Sequence, residues 1–240
     1  MGRSRAVGSG HAIVPGELLA RWRAADVFAA GPGRVLRRYR EGEGGDTEPE
    51  AAAMELARRH GFPVPAVHEA GGRDLVLERV EGPTMLADLA RRPWRVGRHG
   101  RTLAELHNKL HAIPAPPDLR TPFGRGDRLV HFDLHPDNVL LSQRGPMVID
   151  WSNASRGDGA DDVALTWVIL TTSVVPGPLP FRALAGAGRD LLVNAFLGGV
   201  DAEAARRRLA TVADRRLSTD PHLLERERDA LRAIVAEATS

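Results

Sequence analysis

The chain has 240 residues, 42% hydrophobic and 27% charged, which suits one domain or two lobes sharing a cleft and excludes a disordered chain. All of its 33 cationic side chains except Lys109 are arginine. With no Cys and one Tyr to titrate, a formal charge of only +2 carries the pI to about 9.8, so the pI does not imply a nucleic-acid partner. The missing Cys excludes disulfides, a thiolate nucleophile and Cys-ligated zinc. No apolar run reaches the ~18 residues of a membrane span, and "MGRSRAVGSG" is a poor signal peptide. A soluble cytoplasmic protein with no membrane partner is expected.

"DVFAAG" (26–31) and "RVLRRYR" (34–40) read as strands around a tight turn at Gly31-Pro32-Gly33, followed by a polar loop at 41–46. A helix is predicted over 48–60, with Thr47 as its N-cap and Gly61 as its stop. "FPVPAV" (62–67) is extended, because proline disfavours helix in the residue before it. "VHEAGGRDLVLERV" (67–80) reads as a second hairpin turning at Gly71-Gly72. Helix dominates from Thr84, and Leu103, Leu106, Leu110 and Ile113 form a stripe at helical spacing within 98–113. Short strands are predicted at 128–132, 138–142 and 146–150, then helices near 160–174, 180–197, 201–216 and 220–238. No internal repeat is visible.

The densest polar stretch is "HFDLHPDNVLL" (131–141). Within it Asp133 and Asn138 are five residues apart, and Asp150 follows twelve residues later at the end of the apolar strand "MVI". Phosphoryl transfer needs a carboxylate to take a hydrogen bond from the incoming hydroxyl, hard oxygen ligands for Mg²⁺, and a cation for the phosphates. Asp133, Asn138 and Asp150 supply the first two. The bland alternative is a loop of turn-forming Asp and Asn.

The pattern His131-x-Asp133-x4-Asn138, with "VIDW" (148–151), "HPDN" (135–138) and "GADDVA" (159–164), resembles the aminoglycoside phosphotransferase family, small-molecule kinases of the protein-kinase-like fold. The likeness runs from about residue 25 to 170. It implies an α+β, two-lobed fold: a small antiparallel-sheet N-lobe with one helix (1–80) and a mainly helical C-lobe (81–240). It also implies ATP or GTP and Mg²⁺ as cofactors, and a small-molecule hydroxyl as acceptor. Asp133 would be the base or hydroxyl-positioning carboxylate, Asn138 and Asp150 the metal ligands, Asp162 a tether for the loop, and His131 its orienting residue. Backbone groups of Leu77 to Gly82, Glu78 and Val80 foremost, would hold the adenine ring. Arg37 matches the phosphate-binding position, with Arg38 second and Glu50 as the partner of Arg37. Lys109 lies too late in the chain for that role. No Gly-x-Gly-x-x-Gly precedes the "VLR" strand, so the phosphate lid is expected to be abbreviated.

Competing readings accompany several residues. Thr47-x-x-Glu50 is also a capping box. His107 and His111 are a helical i,i+4 pair with no third metal ligand nearby, so packing is expected. Trp94, Trp151 and Trp167 read as core or cleft wall. Two rival functions remain: a catalytically impaired kinase-like nucleotide-binding protein, and a metal-dependent hydrolase using His131, Asp133 and His135 from one strand face. From residue 151 onward 12 acids face 11 arginines, and "ERERD" (Glu225, Glu227, Asp229) reads as a solvated helix face, so nothing favours a polycationic acceptor.

Overall fold

The computed structural model describes residues 15–22, 24–42, 46–173 and 179–237. The opening decapeptide, residues 43–45 of the polar loop, and residues 174 and 238 at two expected helix ends lie outside them. The chain divides into two compact units, one from residues up to Glu48 with Val67–Arg79, the other from Pro49–Ala66 with Val80 onward.

In chain order the elements begin with β1 (Leu18–Arg21), β2 (Ala25–Ala29), β3 (Arg34–Tyr39), α1 (Glu48–Arg59), β4 (Val67–Gly71) and β5 (Asp74–Glu78). The five strands form one antiparallel sheet, ordered β1-β2-β3-β5-β4. In β3 the buried Leu36 lies opposite Phe28 of β2 and Val76 of β5. The β4–β5 turn is one residue later than expected: Gly71 pairs with Asp74, leaving Gly72 and Arg73 as the two turn residues.

Thr47 does not take the expected capping role. Its hydroxyl donates to the Asp74 carbonyl (2.8 Å) and accepts from the Gly71 amide (3.0 Å). At the start of α1 the Glu48 amide instead donates to Asp46 Oδ1 at 3.1 Å.

The second unit takes in α1 from Pro49, whose Ala53, Met54 and Ala57 are buried together with Glu50. α1 stops at Gly61, as expected. Gly61 has φ +74, and the Gly61 and Phe62 amides donate to the Arg58 and Ala57 carbonyls at 3.0 Å each. That is a Schellman end, which requires a left-handed residue at this position.

Next come α2 (Met85–Arg91), α3 (Val96–His111), β6 (Arg128–Val130), β7 (Val139–Ser142), β8 (Gly145–Val148) and β9 (Ser155–Gly157). The helices α4 (Gly159–Thr172), α5 (Leu179–Leu197), α6 (Ala202–Arg206), α7 (Leu209–Thr219) and α8 (Glu225–Glu237) complete the unit. The predicted stripe of Leu103, Leu106, Leu110 and Ile113 is fully buried, each side chain contributing about 1.5–3 kcal/mol. α3 ends two residues early because Ile113 precedes Pro114. α3 and α5 approach closely at Gly100, where a Cβ would stand 2.6 Å from that of Ala195.

The helix expected over 201–216 is two helices. The chain breaks at Arg207–Arg208, and Arg208 Nε donates to Asp161 Oδ1 of α4 at 2.5 Å. α8 begins at Glu225 because Asp220 is extended before Pro221. Among the described residues no helix is long and apolar enough to cross a membrane.

Of Trp94, Trp151 and Trp167, Trp151 is core. Trp94 is 75% exposed on the helical turn Pro93–Arg95, which corrects the core or cleft-wall reading. Trp167 is half-buried under the Arg206 guanidinium, 5.2 Å from its ring centre.

Candidate active site

β6 pairs with β9 and stops at Val130. Phe132 then adopts φ +58, one of two non-glycine residues in the left-handed region among those described; the other is Asp150, at φ 61 and ψ 69. Strain of this kind persists only where surrounding contacts hold it. Here the holder is Asp162, fully buried on the first turn of α4. Its Oδ1 accepts from the Phe132 amide (2.8 Å), and its Oδ2 from the His131 amide (3.1 Å) and His111 Nε2 (2.9 Å). Although burial opposes ionisation, the His111 bond and these amides keep the carboxyl of Asp162 well below the usual range.

The loop then closes on itself. The His135 amide donates to the Asp133 carbonyl (3.0 Å), and the Asn138 amide to the His135 carbonyl (2.9 Å). Pro136–Asn138 forms a single 3-10 turn capped by His135 Nδ1, which accepts from the Asp137 amide. Asn138 Nδ2 donates to the Asp133 carbonyl (2.9 Å) and to Asp133 Oδ2 (3.1 Å). His135 Nε2 lies 3.4 Å from Asp133 Oδ1. Burial pushes the Asp133 carboxyl up, but the His135 hydrogen bond and the positive field of Arg216 help outweigh it, so the group sits below its ordinary value. The structure therefore presents an ionised, half-buried carboxylate with one oxygen fixed by an amide.

β7 and β8 form a hairpin in which Val139 faces Val148. The Ile149 amide donates to the Asn138 carbonyl at 3.0 Å, so Asn138 lies opposite the residue immediately before Asp150. Trp151 anchors the far side: its indole N–H donates to the Val148 carbonyl, and its ring meets Phe62 and His131 edge-on at 5.6 and 5.0 Å. Ser152 Oγ donates to Asp150 Oδ1 at 3.0 Å.

The donor set suits Mg²⁺. The Asn138 nitrogen is committed to Asp133, so the hard ligands on offer are its side-chain oxygen and the Asp150 carboxylate. Among the described residues no group of three His, Asp, Glu or Cys is arranged to hold a metal by itself. An ion shared with substrate phosphates needs no such cage.

His131 is wholly buried, and its Nε2 donates to the Ile149 carbonyl at 3.2 Å, tying the loop to the strand that ends at Asp150. Burial pushes its pKa down, so it is neutral. This geometry corrects the one-face reading of His131, Asp133 and His135. β6 ends at Val130 and Phe132 turns left-handed, which destroys the alternation that reading required.

The sheet residues stand in the first unit. Arg37 is buried on β3; its guanidinium donates to the Tyr39 hydroxyl and lies over that ring, 4.7 Å from the centre. Arg38, on the opposite face, is held bidentately by Asp74 at 2.6 Å through Nε and Nη2. Glu78 ends β5, and the Arg79 amide donates to the Gly33 carbonyl. Glu50 and Val80 belong to the second unit, Glu50 buried on α1 and Val80 half-buried. Lys109, the lone lysine, is exposed on α3.

Sequence reasoning missed several of these residues. His107 and His111 are packing residues, as expected, but each also makes polar contacts. His107 lies 2.9 Å from the Leu103 carbonyl and 3.0 Å from the Thr166 hydroxyl, and His111 holds Asp162. Ser152 and Arg216 carried no signal beyond ordinary polar residues.

Residues 19–128 and 119–199 match the family model APH, described as the phosphotransferase enzyme family. The chain belongs to that family. It is 28% identical over 143 residues to streptomycin 6-kinase of Streptomyces griseus, a match covering 44% of this chain and 44% of the relative, so less than half of that protein's length is spanned. A thermostable form of aminoglycoside phosphotransferase APH(4)-Ia, solved in ternary complex with AMP-PNP and hygromycin B, is 16% identical over 93% of this chain and 94% of that one, with a TM-score of 0.63. A choline/ethanolamine kinase family protein from Mesorhizobium loti is 18% identical over 94% and 87%, with a TM-score of 0.56. The fold of this phosphotransferase family member is thus protein-kinase-like, with the antiparallel sheet in its N-terminal part and helices dominating the rest.

Proposed function

We propose that this family member transfers the terminal phosphoryl group of ATP or GTP to a hydroxyl of a small molecule. One observation carries the reading. A single amide, Asn138 Nδ2, fixes both the backbone carbonyl and the carboxylate of Asp133, on a loop whose backbone hangs from Asp162. Asp133, ionised and preset, accepts the hydrogen bond of the acceptor hydroxyl and aligns its oxygen with the γ-phosphorus. The new P–O bond forms as the bridging bond to the β-phosphate breaks, the nucleoside diphosphate leaves, and the hydroxyl proton passes to Asp133. A carboxyl held below its ordinary pKa is a weak base, so orientation is its main contribution, which suits a loose transition state. Asn138 and Asp150 would hold Mg²⁺; the chemistry such an ion supplies when bound is neutralisation of charge on the phosphate oxygens.

The same proposal gives the first 80 residues the nucleotide. Arg37 serves the phosphates, and backbone groups near the end of β5 at Glu78 serve the base. For the acceptor, the name of the Streptomyces griseus relative makes streptomycin the first compound to screen, beside uncharged hydroxyl compounds.

The test is calorimetric binding of ATP and GTP with and without Mg²⁺, followed by turnover on the acceptor found. Asp133→Asn should lower kcat by about 10²–10⁴ while nucleotide affinity stays unchanged. Full turnover by Asp133→Asn would sink the role assignment. Tight Mg²⁺-nucleotide binding with no turnover on any acceptor would favour the impaired, regulatory reading.

A further inference from the structure

Asp150 occupies a conformation that an L-residue adopts reluctantly, at the mouth of a turn, with its carboxylate at the surface of the loop. A ligand so placed needs something to fix both its backbone and its carboxylate plane. Ser152, two residues on, is exposed, and its Oγ donates to Asp150 Oδ1 at 3.0 Å. The Ser152 carbonyl in turn accepts from Arg120 Nη2 at 2.7 Å. Arg120 Nε reaches Ser155 Oγ at 3.0 Å and the Ala154 carbonyl at 3.4 Å, and the Arg120 carbonyl accepts from the Arg156 amide at 3.0 Å. The 3-10 turn itself is closed by the Ala154 amide on the Trp151 carbonyl, 2.9 Å. One guanidinium from the segment between α3 and β6 therefore clips the whole stretch that follows Asp150.

We propose that Ser152 is the positioning residue for Asp150, orienting its carboxylate for the metal–nucleotide, and that Arg120 acts through Ser152. The inference rests on the reading of Asp150 as a metal ligand and adds the groups that aim it. A carboxylate with one oxygen hydrogen-bonded loses its free rotation before the ion arrives, so less ordering is left to the binding step. Ser152 touches neither nucleotide nor acceptor in this account. Its effect should therefore fall on metal affinity and not on the nucleotide alone.

The experiment titrates Mn²⁺, read by electron paramagnetic resonance, into the full chain saturated with AMP-PNP. The variants are Ser152→Ala, Ser152→Thr, Arg120→Ala and Asp150→Ala, each with its melting temperature. Ser152→Ala should raise the Mn²⁺ Kd about tenfold. AMP-PNP affinity in EDTA and the melting temperature should stay unchanged, and Ser152→Thr, which keeps the hydroxyl, should restore the Kd to within about twofold. Arg120→Ala should weaken Mn²⁺ binding in the native background and add little in the Ser152→Ala background, since the two act in series. An unchanged Mn²⁺ Kd in Ser152→Ala, while Asp150→Ala abolishes binding, overturns the role of Ser152 and leaves Asp150 standing. Unchanged binding in Asp150→Ala overturns both. A lowered melting temperature in Ser152→Ala with normal Mn²⁺ affinity also overturns the proposal, as a purely structural contact would behave that way.

Discussion

Two buried aspartates in the second unit are each ringed by donors, and they do different work. Asp88, on α2, accepts from Arg92 Nη1 (2.6 Å), Arg95 Nη1 (3.2 Å) and His99 Nε2 (2.8 Å), all within eleven residues of it. Those bonds, His99 foremost, hold its carboxyl at about 2 against the pull of burial. Asp162 instead takes two backbone amides from thirty and thirty-one residues away, plus His111. Side-chain donors close to a carboxylate in sequence staple one helix to the next. Backbone donors from a distant loop give the carboxylate control over the conformation of that loop. Only the second arrangement can set where Asp133 stands.

The contrast predicts a marked loss of activity at Asp162. Asp162→Asn keeps volume but turns an amide N–H₂ toward groups that already donate, so at least one buried donor loses its acceptor. Phe132 would no longer be held left-handed, and the catalytic loop would shift. We expect kcat to fall about 100-fold, as misplacement of a reacting group by about 1 Å commonly costs that much, with a lowered melting temperature. Steady-state kinetics on the acceptor check this. Native kcat in Asp162→Asn would erase the contrast between the two aspartates.

How much of this was readable beforehand divides along the same line. His131, Asp133, Asn138 and Asp150 fall within twenty residues, and the short hairpin β7–β8 returns the chain to its starting point, so their proximity was legible in spacing alone. The leucine stripe of α3 was legible because burial follows the helical period. What escaped were pairings that no local pattern encodes. Thr47 turns to a hairpin 24 and 27 residues ahead, and His111 finds an aspartate 51 residues on. The helix predicted over 201–216 breaks where Arg208 reaches across 47 residues to Asp161. The apolar period runs through that break without a signal. Trp94 misled in the opposite direction, because hydrophobicity alone does not say which side of a tight helical turn a residue occupies.

The Asp162 cluster also makes stability depend on pH. His107 lies beside the Asp162 cluster, its ring 5.6 Å from that of His111, and burial pushes its pKa down to about 4. The unfolded chain binds this proton near pH 6.5. Between pH 6.5 and 4 the unfolded state therefore holds more protons than the folded one, and stability falls as pH falls. From pH 7.5 to 5 the loss for this residue is about 2 kcal/mol, and His131, also shifted down by burial, adds in the same direction. Urea unfolding at the two pH values measures the slope, and His107→Asn should flatten it. An unaltered slope in that variant would mean that another group carries the proton.

The smallest effect belongs to Asp88, and it is the sharper control for that reason. Asp88→Asn leaves Arg92 and Arg95, both substantially exposed, free to turn to water, so their loss is cheap. His99 is buried and keeps an acceptor only if the new amide presents its oxygen. The expected result is a melting temperature lowered by a few degrees with kcat and KM each within about twofold of native. Thermal unfolding and kinetics on the same preparation decide it. A change in kcat comparable to that of Asp162→Asn would mean that the α2–α3 staple also reaches the catalytic loop, through the bridge of Thr84 to Leu140 in β7 and the Leu141 amide on the Pro83 carbonyl. The distinction between local staple and distant tether would then be one of degree.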